Sequence, residues 1–437
     1  MATSQSDYTF KNWDDTLECS PKAFYQPSTE AEVIDIVREV ESRHQTLRAF
    51  GAGHSWSPLV PTSDALINLD NLSSILSVDP ATRRVTTQAG IRLKQLNAQL
   101  PNYNLAMKQL GSIEEQSISG AFSTATHGTG IDYPPLPSLI SSMRIIGSGG
   151  RIIDIDAEAQ PELMSAARTS LGAFGIITQV TLQCVPAHNL ETVAYPLPFE
   201  EAAAKIPALI KANERVRLYW FANTDVIQVM LYNHTDKPVS PKNQFADWFQ
   251  NIVIKHELYQ LLLDAGYQIP GLVGPINQFG AKVGFVKEER VDRSDRIILI
   301  PLPPPHQETE YAVPVDKAGE ALRLTRKLVE AADYKLNIPL EIRFAAADDV
   351  MLSPCYQRAS CYVGAYTFGE QFAAPYFNGF EGLMKSLGGR PHWGKHITVS
   401  AEELRSLYPK YDRWNQIRKQ LDPNGTFAND WIKQMFP

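Results

Sequence analysis

Thr29 and Glu32 stand three residues apart just before Val33, Ile36, Val37 and Val40, an apolar series at helical spacing. A cap hydroxyl and a carboxylate reaching back to it start a helix, so an amphipathic helix is expected here. Past it the period shortens. Ala65 to Leu69, Ile75 to Val78 and Val85 to Gln88 read as strands, the last two parted by Asp79-Pro80. Leu93 to Leu100 and Pro161 to Arg168 read as short helices and Phe174 to Val185 as strand-rich. Arg144 to Ile146 and Arg151 to Ile155 form a hairpin closed by Gly147-Ser148-Gly149-Gly150. The pattern predicts an α+β unit of roughly 190 residues, within the usual range for one domain.

A second texture begins near Pro186 and Pro196. Arg217 to Phe221 and Val226 to Tyr232 pair about Asn223-Thr224-Asp225, and Ile297 to Ile300, Leu340 to Phe344 and Cys361 to Phe368 read as further strands. Ala321 to Ala332 is a helix, giving a sheet backed by helices. Pro301, Pro303, Pro304 and Pro305 cannot enter a sheet interior and mark a rigid loop. Near the end Ser400 and Glu403 repeat the capping pattern, Tyr411 to Leu421 is helical, and Asp422-Pro423-Asn424-Gly425 is a turn.

At 437 residues the chain exceeds what one core usually fills, so two domains are expected. A net charge of −7 with no block of Lys or Arg removes the attraction on which nucleic-acid binding relies. Met1 to Asp7 carries no basic or apolar leader, and no apolar run reaches the length of a membrane span. A soluble, cytoplasmic protein with no nucleic-acid or membrane partner is therefore expected, as monomer or small homo-oligomer. Cys19, Cys184, Cys355 and Cys361 contain no CxxC pair and read as free thiols, with pairing of Cys355 and Cys361 on oxidation the lesser alternative.

Three Gly-rich segments carry the chemistry. In Phe50-Gly51-Ala52-Gly53-His54-Ser55 two glycines and a histidine follow an extended run, so successive amides can turn toward an anion. Alone, it is also the pattern of an ordinary turn with a solvated histidine. Gly111 to Gly130 is dense in Gly, Ser, Thr and Ala and nearly uncharged after Glu115, which suits a loop lining a buried polar ligand. Ser170-Leu171-Gly172-Ala173-Phe174-Gly175-Ile176-Ile177 allows another close backbone approach. Downstream, strand alternation puts Glu341 and Arg343 on one face of Leu340 to Phe344. Pro391-His392-Trp393-Gly394-Lys395-His396 adds a cation and two imidazoles. His392 and His396 at i, i+4 make a poor metal pair, with Gly394 between them and no carboxylate near in sequence, so no metal is expected.

In this order the segments resemble the flavin-binding domain of the vanillyl-alcohol oxidase (PCMH-type) family, in its sugar-lactone and alditol oxidase branch, over nearly the whole chain. The resemblance implies a two-domain α+β flavoprotein. An FAD-binding domain would span 1–190, a substrate cap domain 191–398, and 399–437 would return to the flavin domain. His54 matches the histidine joined covalently to the flavin's 8α-methyl carbon. Gly51, Ala52, Gly53, Ser55, Gly111, Ser112, Ser117, Gly120, Ser123, Thr124, His127, Gly128, Gly175 and Ile177 fall where the family holds FAD. Glu341, Arg343 and Lys395 match the Glu-x-Arg and HWxK catalytic motifs, with Ser112 and His392 as substrate contacts.

The implied reaction is oxidation of an aldono-1,4-lactone of gulonolactone or arabinonolactone type, with hydride passing to flavin N5 and dioxygen reoxidising the flavin to give hydrogen peroxide. Gly111 favours oxidase over dehydrogenase, and Leu182 to Pro186 with Leu352 to Tyr362 look like gulonolactone oxidases. Ser112 and Gly394 look more like alditol oxidases, so a polyol such as xylitol or sorbitol is the alternative substrate.

Overall fold

The structure, a computed structural model, describes residues 7–241 and 257–437. Met1 to Ser6, on which part of the leader reading rests, lie outside these residues. The helix Glu30–Ser42 starts at Thr29 with the predicted capping box and buries Val33, Ile36, Val37 and Val40. It joins a core that also takes the parallel sheet of Ala23–Tyr25, Ala65–Asn68 and Leu47–Phe50. A second sheet runs in the order Arg151–Asp156, Ile140–Gly147, Ile176–Pro186, Arg84–Gln88, Ile75–Asp79, and contains the expected hairpin. The helices Ala401–Leu407 and Tyr411–Leu421 pack their apolar residues into this same core, far from their sequence neighbours. Trp393, Met351 and Leu352 join it too.

The other large core lies under an eight-stranded antiparallel sheet. At its centre Arg215–Trp220, Leu340–Ala345, Ser360–Thr367 and Gln307–Pro314 are neighbours. Alternation divides the faces. Val216, Leu218, Leu340, Ile342, Phe344, Val363, Tyr311 and Val313 point to the apolar core, covered by helices such as Phe199–Ala212 and Ala318–Ala331. The opposite face carries Arg217, Tyr219, Glu341, Arg343, Tyr366, Glu308 and Glu310. Register sets Arg217 opposite Arg343, Tyr219 opposite Glu341, and Glu308 opposite Tyr366.

One predicted strand is absent. Ile297 ends a one-turn helix, Ser294–Ile297, because the preceding strand stops at Arg293, and Ile297 and Ile298 bury against Leu190 and Tyr232 rather than entering a sheet. All four cysteines are free. No helix among the described residues is long and apolar enough to cross a membrane.

Candidate active site

The GAGHS turn leaves the edge strand Leu47–Phe50 and bends at Gly53, whose φ is +70°. Among the described residues the amides of Ala52, Gly53, His54 and Ser55 find no protein acceptor, so the turn presents a row of donors of the kind an anion satisfies. Gly51 is required by crowding: a Cβ there would lie 1.9 Å from Ser117 Oγ. Ser117 caps the helix Ile118–Ser123 through Gly120 N, which brings the second Gly-rich segment against the first. Arg48, fully buried, bonds to the carbonyls of Leu59, Leu171, Gly172 and Phe427, and burial draws its pKa down to about 10. It thereby ties the turn to the third segment and to the C-terminal region.

Together these segments line a cleft of about 1010 Å³ that contains Gly51, Ala52, Gly53, His54, Ser55, Ser117, Gly120, Ser123, Thr124, Gly175 and Ile177. Its low charge, close backbone and unpartnered amides fit the elongated diphosphate-bearing FAD. Gly128 lines neither this cleft nor the neighbouring cavity. A Cβ there would lie 2.1 Å from the Leu110 carbonyl, so close backbone packing accounts for the glycine.

A second cavity, of about 700 Å³, meets the cleft at His54 and Gln116, which line both. Gly111, Ser112 and His127, predicted to touch the cofactor, lie in this second space with Glu341, Arg343, Lys395 and His392. Glu341 Oε1 accepts from Tyr219 Oη at 2.9 Å and Ser112 Oγ at 3.3 Å and lies 3.1 Å from Arg217 Nε. Its Oε2 accepts from Tyr366 Oη at 3.2 Å and lies 3.4 Å from Arg343 Nε. Arg343 Nη2 donates to Glu310 Oε1 at 2.7 Å, and Lys395 pairs with Glu308 while its Nζ sits 4.6 Å over the Trp56 ring. Three cations thus face three carboxylates in a water-poor space.

Burial acts to raise Glu341, but Arg343 and Arg217 overcome it and hold the carboxyl below its ordinary value. Burial likewise acts to raise Glu310, and Arg343 with His127 holds it well below. Arg343 is pushed well above its usual value, its two carboxylates outweighing burial. Burial first, then the charges of Lys395 and Arg92, lowers His54 to about 4, so its imidazole is neutral and nucleophilic near pH 7. His392 and His396 do not converge. Instead His392 joins His127 and Glu310, the three offering ligand atoms within 4.8 Å of one another.

Arg217, Tyr219, Glu308, Glu310 and Tyr366 were not singled out in the sequence, although Glu308-Thr309-Glu310 and Arg217-Leu218-Tyr219 show the same polar alternation as Glu341-Ile342-Arg343. Trp13, against His54, and His306, against Trp13, line the same cavity and carried no local signal.

A family model described as D-arabinono-1,4-lactone oxidase matches residues 180–435, and one described as FAD binding domain matches 21–156. L-gulonolactone oxidase of Bos taurus is 32% identical over 98% of each chain. The chain belongs to the D-arabinono-1,4-lactone oxidase family. L-gulono-1,4-lactone dehydrogenase of Mycobacterium tuberculosis is 31% identical over 98% of each chain, so the family includes proteins named for either acceptor. Cholesterol oxidase from B. sterolicum superposes with a TM-score of 0.84 at 16% identity, over 100% of this chain and 97% of that one, which shows the shared fold. This lactone-oxidase family member is an FAD-dependent oxidoreductase built on the PCMH-type fold within the vanillyl-alcohol oxidase family.

Proposed function

We propose that the protein oxidises a sugar-derived aldono-1,4-lactone, of gulonolactone or arabinonolactone type, with FAD covalently held at His54. The observation that carries this reading is the meeting of the two spaces at His54: a low-charge cleft with unpartnered amides opens there onto a cavity walled by Glu341, Arg343 and Lys395. Relatives of the same length act on lactones by name, which supports the substrate class. FAD, when bound, supplies the two-electron acceptor and passes the electrons to dioxygen, giving hydrogen peroxide.

The chain's own residues orient the substrate and stabilise charge. Arg343 and Lys395 present fixed cations to an oxygen that gains negative charge as its proton leaves. Glu341 is held ionised between Arg217 and Arg343 and fixes the angle of the Arg343 fork. Trp13, Trp56 and His306 pack against one another and line the cavity beside His54. The domain limits at 190 and 398 belong to the same proposal, the segment beyond 398 completing the flavin-side core.

Ser112 favours the second reading, a polyol substrate, because its hydroxyl stands within 3.3 Å of Glu341, which accepts from it, and of Arg217 and Arg343, which donate to it, where a chain hydroxyl would compete for the same partners. Peroxide release with L-gulono-1,4-lactone and with xylitol separates the two. Turnover of xylitol alone would sink the lactone reading.

A further inference from the structure

One buried imidazole is not used by the arrangement above. His127 stacks on Tyr362 with ring centroids 3.4 Å apart and planes at 12°. Its Nδ1 lies 2.9 Å from the Gly128 carbonyl oxygen. A carbonyl only accepts, so in the neutral ring Nδ1 carries the proton and Nε2 the lone pair. Nε2 is buried without a hydrogen-bond partner, on a residue that lines the second cavity. Glu310 Oε1 stands 3.2 Å away, near enough to pair with Nε2 once that nitrogen carries a proton, and Glu310 Oε2 is unpartnered.

Glu341 and Lys395 are taken, which leaves Glu308 Oε1 and the Nε2 of His306, whose Nδ1 faces the Pro304 carbonyl at 2.8 Å, as the other open acceptors lining the cavity. Both oxygens of Glu341 are occupied by Tyr219, Ser112, Arg217, Tyr366 and Arg343, and Lys395 is engaged by Glu308. His392 Nδ1 accepts from Gly394 N at 3.0 Å, which leaves its Nε2 as the protonated nitrogen of the neutral ring.

We propose that His127 is the general base of the reaction, taking the substrate hydroxyl proton on Nε2, and that Glu310 stabilises the imidazolium so formed. This rests on the oxidase reading of the same cavity. The substrate O–H bond breaks with its proton going to Nε2, and the oxygen pair becomes the second bond of the carbonyl. The adjacent C–H bond breaks with hydrogen and electron pair going to the bound oxidised flavin. When dioxygen takes the two electrons, the transferred hydrogen and the His127 proton leave as hydrogen peroxide.

The surroundings suit that cycle. In the resting site burial and then the Arg343 charge lower His127, leaving it unprotonated, with Glu310 opposing. After transfer, the Glu310 carboxylate and the Tyr362 ring face are both placed to hold a cation. The charged or titratable groups facing the pair are Arg343, Glu341, Tyr362, Tyr366, Cys361 and His392, with Lys395 acting on His392. A divalent metal on His127, Glu310 and His392 is the competing use, and it is weakened because Arg343 Nη2 already donates to the Glu310 oxygen that faces His127.

Anaerobic flavin reduction by L-gulono-1,4-lactone, followed between about pH 5 and 9 in the flavin-loaded protein, tests the proposal. A base must be unprotonated, so the wild-type rate falls as pH drops through the ionisation of His127. His127→Gln lowers the plateau by roughly 10²–10⁴-fold and removes that limb. Glu310→Gln keeps the limb but moves it to lower pH, because the group that raises His127 is gone. If His127→Gln binds flavin poorly, two measurements still decide. External imidazole restores reduction in His127→Ala, and histidine ¹⁵N shifts of the wild-type protein show Nδ1 protonated and Nε2 bare near pH 7. A His127→Gln protein within about threefold of wild type with the acid limb intact would overturn the proposal. So would a proton on Nε2, or activity lost to EDTA and restored by Zn²⁺. A wild-type flavin that no lactone reduces would count against the lactone reading instead, and the same series on xylitol would then judge His127.

Discussion

The flavin-side cleft and the cap cavity meet at His54 but are made in opposite ways. The cleft is a matter of backbone: Gly51, Gly53 and the unpartnered amides around them shape a surface almost without charge. The cavity is a matter of side chains, six charges on three strands of one sheet and one loop that pair with one another before any substrate arrives. A donor row waits for an anion, whereas an internally neutralised network must be re-paired by its ligand. Changes in the cleft should therefore act on cofactor content, and changes in the cavity on turnover.

The largest expected effect is in the cavity. Arg343→Met removes the cation shared by Glu310 and Glu341 and leaves two buried carboxylates without it. Losing one preorganised charge of this kind costs roughly 10²–10³-fold in rate. Lactone-driven peroxide release should fall by about that factor, while the visible absorbance of bound flavin stays. Loss of flavin in step with rate would erase the distinction between the two regions.

Next comes the cleft. Gly51→Ala places a Cβ 1.9 Å from Ser117 Oγ, and overpacking of this kind costs about 1–3 kcal/mol. Flavin content after purification should drop, and the Tm of the apoprotein should fall by roughly 2–4 °C for each kcal/mol lost. Gly51→Ala combined with Ser117→Gly, which clears the obstructing atoms, should recover much of it. Recovery that fails would show that the crowding is not what Gly51 relieves.

The two regions were not equally legible, and the reason is range. A turn such as Gly51 to Ser55 is made by its own residues, and the capping boxes at Thr29 and Ser400 likewise act within one helical turn, so these appear in the sequence as they stand in the structure. The cavity is made by register. Glu341 and Arg343 were visible because they share a strand, but Arg217, Tyr219, Glu308, Glu310 and Tyr366 reach the same face only through pairing with residues far along the chain. Ile297 to Ile300 looked like a strand because a short apolar run does not distinguish a strand from a buried turn of helix. Gly128 entered as a cofactor contact through the family resemblance, and the close approach that only a glycine permits there is to Leu110.

A smaller effect sits on Ser112. Its hydroxyl meets Glu341, Arg217 and Arg343 each at 3.3 Å, long contacts to charged groups that fall below the roughly 1.5–3 kcal/mol of a short charge-assisted bond. Ser112→Ala should lower kcat/KM for the lactone by about tenfold or less, with a proportionally larger loss for xylitol if the polyol reading holds.

The mildest prediction concerns pH at the point where the regions join. His54 has a folded-state value of about 4, below the ordinary histidine value of 6.5. Lowering means that the neutral, nucleophilic form persists as pH falls through 6.5 and is lost only toward about 4. Flavin attachment to apoprotein, read as fluorescence that stays with the denatured chain, should therefore be nearly constant from about pH 8 to 5.5 and fall below that. A decline centred on the ordinary histidine value would contradict the burial of His54.

The most direct test is to add L-gulono-1,4-lactone to the purified yellow protein without oxygen and follow the flavin absorbance. Bleaching by the lactone, followed by return of the colour with one hydrogen peroxide per flavin when air is admitted, is the predicted result. A flavin that stays oxidised with every aldonolactone offered, yet bleaches with a polyol or with nothing, would contradict the account.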